Sequence, residues 1–153
     1  MSEATVRASI KTLIESVSNV GLVYDLEPFA DSWDVFITRF KTTISTVDMI
    51  RGWTISCEAI PAQGFVATGL RNTGNQYFYD YKIRGYQSFN FEISTEKTFL
   101  TLAIAVMAAL NSGIVSGTVF NADLAQLTSY TPRMFDGVLC HVVEITQIVK
   151  EQI

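Results

Sequence analysis

Residues 76–89, Gln-Tyr-Phe-Tyr-Asp-Tyr-Lys-Ile-Arg-Gly-Tyr-Gln-Ser-Phe, alternate two kinds of side chain with a period of two. Tyr77, Tyr79, Tyr81 and Ile83 share one phase, and Phe78, Asp80, Lys82 and Arg84 share the other. Successive side chains of a strand point to opposite faces, so this spacing predicts a β-strand with one aromatic side. Such strands pair well with others. The tetrapeptide Ile83-Arg84-Gly85-Tyr86 is echoed upstream by Ile50-Arg51-Gly52-Trp53. The echo lies in a second alternating stretch, Val47 to Ile60, where Trp53, Ile55, Cys57 and Ala59 oppose Thr54, Ser56 and Glu58. Two neighbouring strands of one sheet follow, each setting an arginine beside a glycine and a large ring. Arg51 and Arg84 read as a fork for a carboxylate or phosphate, or as cross-strand partners of Glu58 or Asp80.

Between these strands, Pro61 to Asn75 carries Gly64, Gly69 and Gly74 and no regular period, which predicts a long hairpin loop. Phe65, Val66 and Leu70 are apolar residues that a solvated loop does not need, and they read as contact residues. Towards the C-terminus, Leu124 to Phe135 and Val138 to Val149 flank Asp136-Gly137, a strong signal for a two-residue hairpin turn. That turn pairs Phe135 with Val138, Met134 with Leu139 and Tyr130 with Val143. One face of the hairpin then carries Tyr130, Met134, Leu139, Val143 and Ile145, and the other carries Phe135, Val138, Cys140 and Val142. An antiparallel sheet in a solvated monomer keeps one face polar, whereas both faces here are apolar near the turn. Helices are expected over one side. Another polypeptide, or the aromatic segment around Trp33, is expected over the other.

The helices are read from a different period. Val6, Ile10, Leu13, Ile14 and Val17 predict a first helix over Glu3 to Ser18, ended by Asn19 to Gly21. Ser32 offers an N-cap for a short segment with Trp33, Phe36, Ile37 and Phe40, for which a strand over Val35 to Phe40 is the alternative. Ser94 is expected to cap a central helix with Glu96 in its first turn, closed by Asn111 to Gly113. The apolar residues of that helix wrap most of its cylinder, so shielding on its flanks is expected too. The sum is one α+β domain over residues 1–153. A mainly antiparallel sheet packs against an N-terminal helix and a long central helix, with a long hairpin loop between two strands.

Composition narrows the function. A chain of 153 residues that is 48% hydrophobic and 17% charged has ample material for one core. A formal charge of −4 disfavours a surface that grips nucleic acid by displacing counterions from phosphate. The longest apolar run, Phe99 to Leu110, is too short to cross a bilayer, and no leader pattern opens the chain. Cys57 and Cys140 lie far apart without metal-ligand spacing and read as buried thiols. Cys140 and His141 are adjacent in a strand and point to opposite faces, so they do not form a nucleophile and base. Gly69 to Gly74 lacks the lysine of a phosphate loop, and Gly113 to Gly117 is no nucleophile elbow. Asp25, Glu27, Asp31 and Asp34 cluster in a loop and read as solvated, with cation binding the alternative. No catalytic residue, metal or cofactor is indicated.

Four motifs occur in a familiar order. They are Arg51-Gly52-Trp53-Thr54-Ile55, Ile83-Arg84-Gly85-Tyr86, the helix opening Ser94-Thr95-Glu96-Lys97-Thr98-Phe99, and the hairpin Met134-Phe135-Asp136-Gly137-Val138-Leu139-Cys140-His141. Together, across about Val47 to Ile148, they resemble the tail-terminator or tail-completion proteins in the neck of tailed bacteriophages. The resemblance implies a small α+β protomer that forms a hexameric ring on the head-proximal end of the tail tube. Its partners would be its own copies, the tail tube protein and a head-completion or adaptor protein. DNA would pass through the channel without specific binding. Arg51, Trp53, Phe65, Val66, Leu70, Arg84, Tyr86, Phe135 and Val138 are the residues expected at an oligomer or partner interface. A head-side adaptor or stopper of the same neck is the near alternative. A small-molecule-binding α+β domain, with a pocket along Tyr77, Tyr79 and Tyr81, is the distant one.

Overall fold

The computed structural model describes residues 3–26, 33–59, 64–68, 71–90, 94–113, 119–135 and 137–152, with backbone alone at 33–34, 59, 64–68, 71–77, 119–120 and 152. In chain order the elements are α1 (Glu3–Glu15), β1 (Leu22–Tyr24), α2 (Trp33–Phe40), β2 (Lys41–Ile44), β3 (Val47–Ala59), β4 (Gly64–Thr68), β5 (Arg71–Ser88), α3 (Thr95–Ser112), β6 (Val119–Asn121), β7 (Gln126–Phe135) and β8 (Val138–Gln152). The expected α+β architecture is present. The strand singled out by its alternation, β5, is the spine of the sheet, antiparallel to β3 on one side and β8 on the other. The order runs β1-β3-β5-β8-β6, with β2 on β3, β4 on β5 and β7 on β8; β1 alone is parallel to its neighbour, β3.

Alternation decides which residues meet which helix. Trp53 and Ile55 of β3, Tyr79, Tyr81 and Ile83 of β5, and Val143, Ile145 and Val149 of β8 point to one side. There they pack against Val6, Ile10 and Ile14 of α1 and Phe99, Leu102, Ala103, Val106 and Leu110 of α3. Spacings of three and four residues put those helical side chains on a single stripe. The opposite phase, with Ile50, Cys140 and Val142, meets Phe36 and Phe40 of α2 in a second, smaller cluster. The 33–40 segment is therefore helical, not extended.

The C-terminal hairpin has the register that its turn dictates, with Phe135 opposite Val138, Met134 opposite Leu139 and Tyr130 opposite Val143. Gly137 takes a φ of 76°, which the turn requires and glycine adopts without strain.

Other expectations need correction. Residues 64–68 pair antiparallel with 71–76, so much of the expected loop between β3 and β5 is a ladder with a shift between Phe65 and Ala67. Backbone hydrogen bonds hold such a ribbon whether or not its side chains alternate. Ser94 lies at the head of α3 in the left-handed region, φ 50° and ψ 51°, and its side chain does not cap the helix. The flanks of α3 are not shielded throughout, since Ile104 is 62% exposed. The expected cap at Ser32 lies outside the described residues.

Candidate functional site

Antiparallel pairing gives the tetrapeptide echo its meaning. Gly52 stands opposite Tyr86, and Trp53 stands opposite Gly85. Each strand thus offers a glycine where its neighbour offers a ring. On the α1/α3 side Trp53 is fully buried, its Nε1–H donates to Val20 O at 3.0 Å, and its ring centroid lies 5.9 Å from that of Phe99. A Cβ on Gly85 would sit 2.6 Å from the Trp53 ring. On the other side Phe40 presses onto Gly52, closely enough that a Cβ there would overlap its ring. The same reversal sends Arg51 and Arg84 to opposite faces. A fork made by the two arginines is excluded.

Several expected interface residues lie inside the protomer instead. Arg51 is 5% exposed, and its Nη1–H donates to Asn19 O at 3.0 Å. Its stem crosses Gly21, where φ is +89° and a Cβ would meet Arg51 Cγ at 2.9 Å. Burial lowers its pKa from the ordinary guanidinium value. Trp53 and Phe135 are core residues, and Tyr86 and Val138 pack beneath α2. Within the protomer Arg51, Trp53 and Phe135 are buried and Tyr86 and Val138 partly so, because each faces a helix or turn of its own chain. Phe65 and Val66 lie in β4, described by backbone alone, and Leu70 lies outside the described residues. The proposed tyrosine pocket is also filled: Tyr79 and Tyr81 are buried, and Tyr81 Oη donates to Glu3 Oε1 at 3.3 Å. Desolvation, reinforced by Glu3, raises the Tyr81 pKa strongly.

The face opposite α1 and α3 divides into two halves. On one, Phe36 stacks on Phe135 at 4.9 Å and meets Tyr86 edge-on at 5.1 Å, while Phe40 meets Tyr24 edge-on at 5.3 Å. Tyr24 Oη also donates to Arg39 O at 2.8 Å. The apolar surface near the hairpin is therefore dried by α2, the aromatic segment of the same chain. A second polypeptide is not needed for that.

The other half is flat and charged. Lys82 Nζ lies 2.7 Å from Glu58 Oε2 and 3.5 Å from Glu144 Oε1, while Arg84 Nη2 lies 3.2 Å from Glu58 Oε1 and its Nε 3.2 Å from Glu144 Oε2. Cations of β5 thus sit between carboxylates of β3 and β8. The expected Arg84–Glu58 pair is present. The hydrogen bond with Lys82 holds the Glu58 pKa below the carboxylate value and that of Lys82 above the ammonium value. These side chains remain 22–40% exposed.

A buried polar cluster lies at the head of α3, which the sequence did not announce. His141 is fully buried; its Nε2 is 3.1 Å from Thr95 Oγ1, its Nδ1 meets Tyr130 Oη, and its ring stacks on Phe89 at 3.7 Å. A hydroxyl, an imidazole and a helix N-terminus are ingredients of nucleophilic catalysis. Here the hydroxyl is engaged otherwise: Thr95 Oγ1 donates to Asn90 O at 3.2 Å and accepts from Asn90 N–H at 3.0 Å. That pair of bonds ties Thr95 to the Asn90 backbone at the head of α3. A crevice of about 170 Å³ adjoins it, lined by Phe89, Asn90, Ser94, Thr95, Glu96 and Lys97. Cys140 points the other way, into the α2 cluster, where burial pushes its thiol up to about 11. The expected separation of Cys140 from His141 holds.

Elsewhere the surface shows Leu124 and Met134, both more than 60% exposed, and β7 is one of the open strands of the sheet. β7 pairs with β8 alone. The pair next to a two-residue turn exchanges both backbone bonds, so Phe135, Arg133 and Thr131 bond inward, whereas 134, 132 and 130 face outward. Pro132 therefore puts its missing N–H on the open side. Among the described residues no three His, Cys, Asp or Glu side chains gather as metal ligands, and no helix is long and apolar enough to cross a membrane. No family model matches the chain, and a search among curated proteins finds no relative.

Proposed function

We propose that the chain is a structural subunit of the neck of a tailed bacteriophage. In this reading it assembles with its own copies, as a hexamer, into a ring on the head-proximal end of the tail tube and performs no chemistry. The observation that carries the reading is the pairing of two broad open surfaces on one small protomer. One is the flat Glu58–Lys82–Arg84–Glu144 half-face, and the other is the β7 edge with exposed Met134. Head-to-tail rings join unlike patches, so a ring subunit needs two such surfaces.

The resemblance of the four motifs supports the reading, as does the net charge of −4, which suits a conduit that DNA slides through. The available half-face is charged, in place of the apolar face expected from sequence. Contacts made there are polar and sensitive to salt. The partners are the tail tube protein on one side and a head-completion or adaptor protein on the other, and the site of action is the virion.

Deleting the gene in its parent phage tests the proposal. Overlong tails beside normally filled heads are expected, visible by negative-stain microscopy. Tails of normal length that fail to join heads transfer the protein to the head-side adaptor role. Normal, joined tails overturn the neck assignment altogether.

A further inference from the structure

The sequence contains a single histidine, and it occupies the most enclosed polar position of the molecule. Its surroundings favour one tautomer. Thr95 has one hydroxyl proton, directed at Asn90 O, so its oxygen accepts from His141 Nε2–H. Nδ1 is then the acceptor for the Tyr130 hydroxyl. The bonds run from β7 through β8 to the first turn of α3 and the Asn90 backbone, linking an edge strand to a helix end that has no side-chain cap.

We propose that Tyr130, His141 and Thr95 form a protonation-operated clasp, closed while the imidazole is neutral, whose opening releases the β7 edge and the first turn of α3 together. An imidazolium there is disfavoured on three counts. The ring is fully buried, the positive end of the α3 dipole lies beside it, and its Nδ1–H would force the Tyr130 proton outward. Its neighbours offer little relief. From β5 and the residues after it, Gln87 and Phe89 are uncharged; from α3, Thr95 and Phe99 are uncharged, and Glu96 is the carboxylate that acts on the ring. From β7 the neighbour is Tyr130, whose own pKa is raised by burial, so it stays protonated.

Desolvation outweighs Glu96 and lowers the His141 pKa from 6.5. The sign follows from linkage. Clasp stability is complete above the open-state value near 6.5 and is lost as pH falls from there towards the lower closed-state value. In that window the opening equilibrium rises about tenfold per pH unit, the slope of one proton.

Two measurements on the unaltered protein test this, and a variant adds a third. The lone His141 ring signal is followed by NMR from pH 8 to 5, and amide protection factors are measured over the same range. A ring midpoint below 6.5, with protection falling together in α3 residues 98–102 and at the inward-bonded Thr131 and Arg133 of β7 while the β3–β5 ladder holds, supports the clasp. A midpoint at or above 6.5, protection that ignores pH, or a uniform loss across the sheet overturns it. Tyr130→Phe, at a half-exposed edge position, should lower protection in both segments already at pH 7.5. An effect confined to β7 would also overturn the coupling.

Discussion

The two faces of the sheet apply one device at two scales. On the α1/α3 side Trp53 fills the space that Gly85 leaves, and helices of 13 and 18 residues seal it. On the other side Phe40 fills the space over Gly52, under a helix of 8 residues. A repeated Arg-Gly-aromatic sequence thus leaves two glycines facing opposite ways, one covered by Trp53 of the repeat and the other by Phe40 of α2, because antiparallel pairing reverses the order on the second strand. The broad roof buries the large cluster of Trp53, Tyr81, Ile83, Val143 and Ile145. The narrow one covers half and leaves the rest to paired charges.

The contrast can be tested from its strong side downward. Gly85→Ala forces a methyl against a Trp53 ring that its bond to Val20 and the bulk of α3 prevent from moving; a loss of about 3 kcal/mol in urea-induced unfolding is expected. Gly52→Ala meets a ring on a short helix that can lift, so a loss of about 1.5 kcal/mol is expected, with amide exchange accelerated in 33–40 and unchanged in α3. Equal losses at the two glycines would show the two roofs to be equally rigid.

The charged half-face ranks lower. Lys82→Ala should cost less than about 1 kcal/mol, since its partners are partly exposed and solvent screens them, and the difference should shrink in 1 M salt. The pH dependence has two arms. The lowered pKa of Glu58 gives stabilisation that is present above the carboxylate value of 4.5 and lost as pH falls through its depressed value. The raised pKa of Lys82 gives stabilisation that is present below 10.5 and lost as pH rises past its elevated value. Smallest of all is Ile104→Ser on the outward side of α3, expected to change stability by no more than about 0.5 kcal/mol.

What could be read in the sequence follows the range of each signal. Alternation in Val47–Ala59 and from Gln76 onward, and the hairpin turn at Gly137, act over a few residues, and the long strands, the hairpin register and the fold class were legible from them, whereas the start of β5 at 71–75 was read as loop. Short strands were not. β1 and β6 have three residues each, too few to show a period. The β2–β3 turn uses Ser45 and Thr46, both at positive φ, where neither glycine nor asparagine signals a turn. The facing of the two arginines depends on the offset between β3 and β5, which neither strand encodes alone. The His141 cluster joins residues 11 and 46 positions apart, beyond any local pattern. The apolar second face was legible, but its cover stayed open between the segment around Trp33 and another polypeptide, because α2 and the hairpin it covers are distant in sequence.

Pro132 has a consequence for crowded conditions. An incoming extended chain aligned along β7 finds a gap in the row of donors, so zippering from molecule to molecule cannot spread across that edge. Whatever docks against this margin therefore has to recognise side chains such as Met134 in place of continuing the sheet.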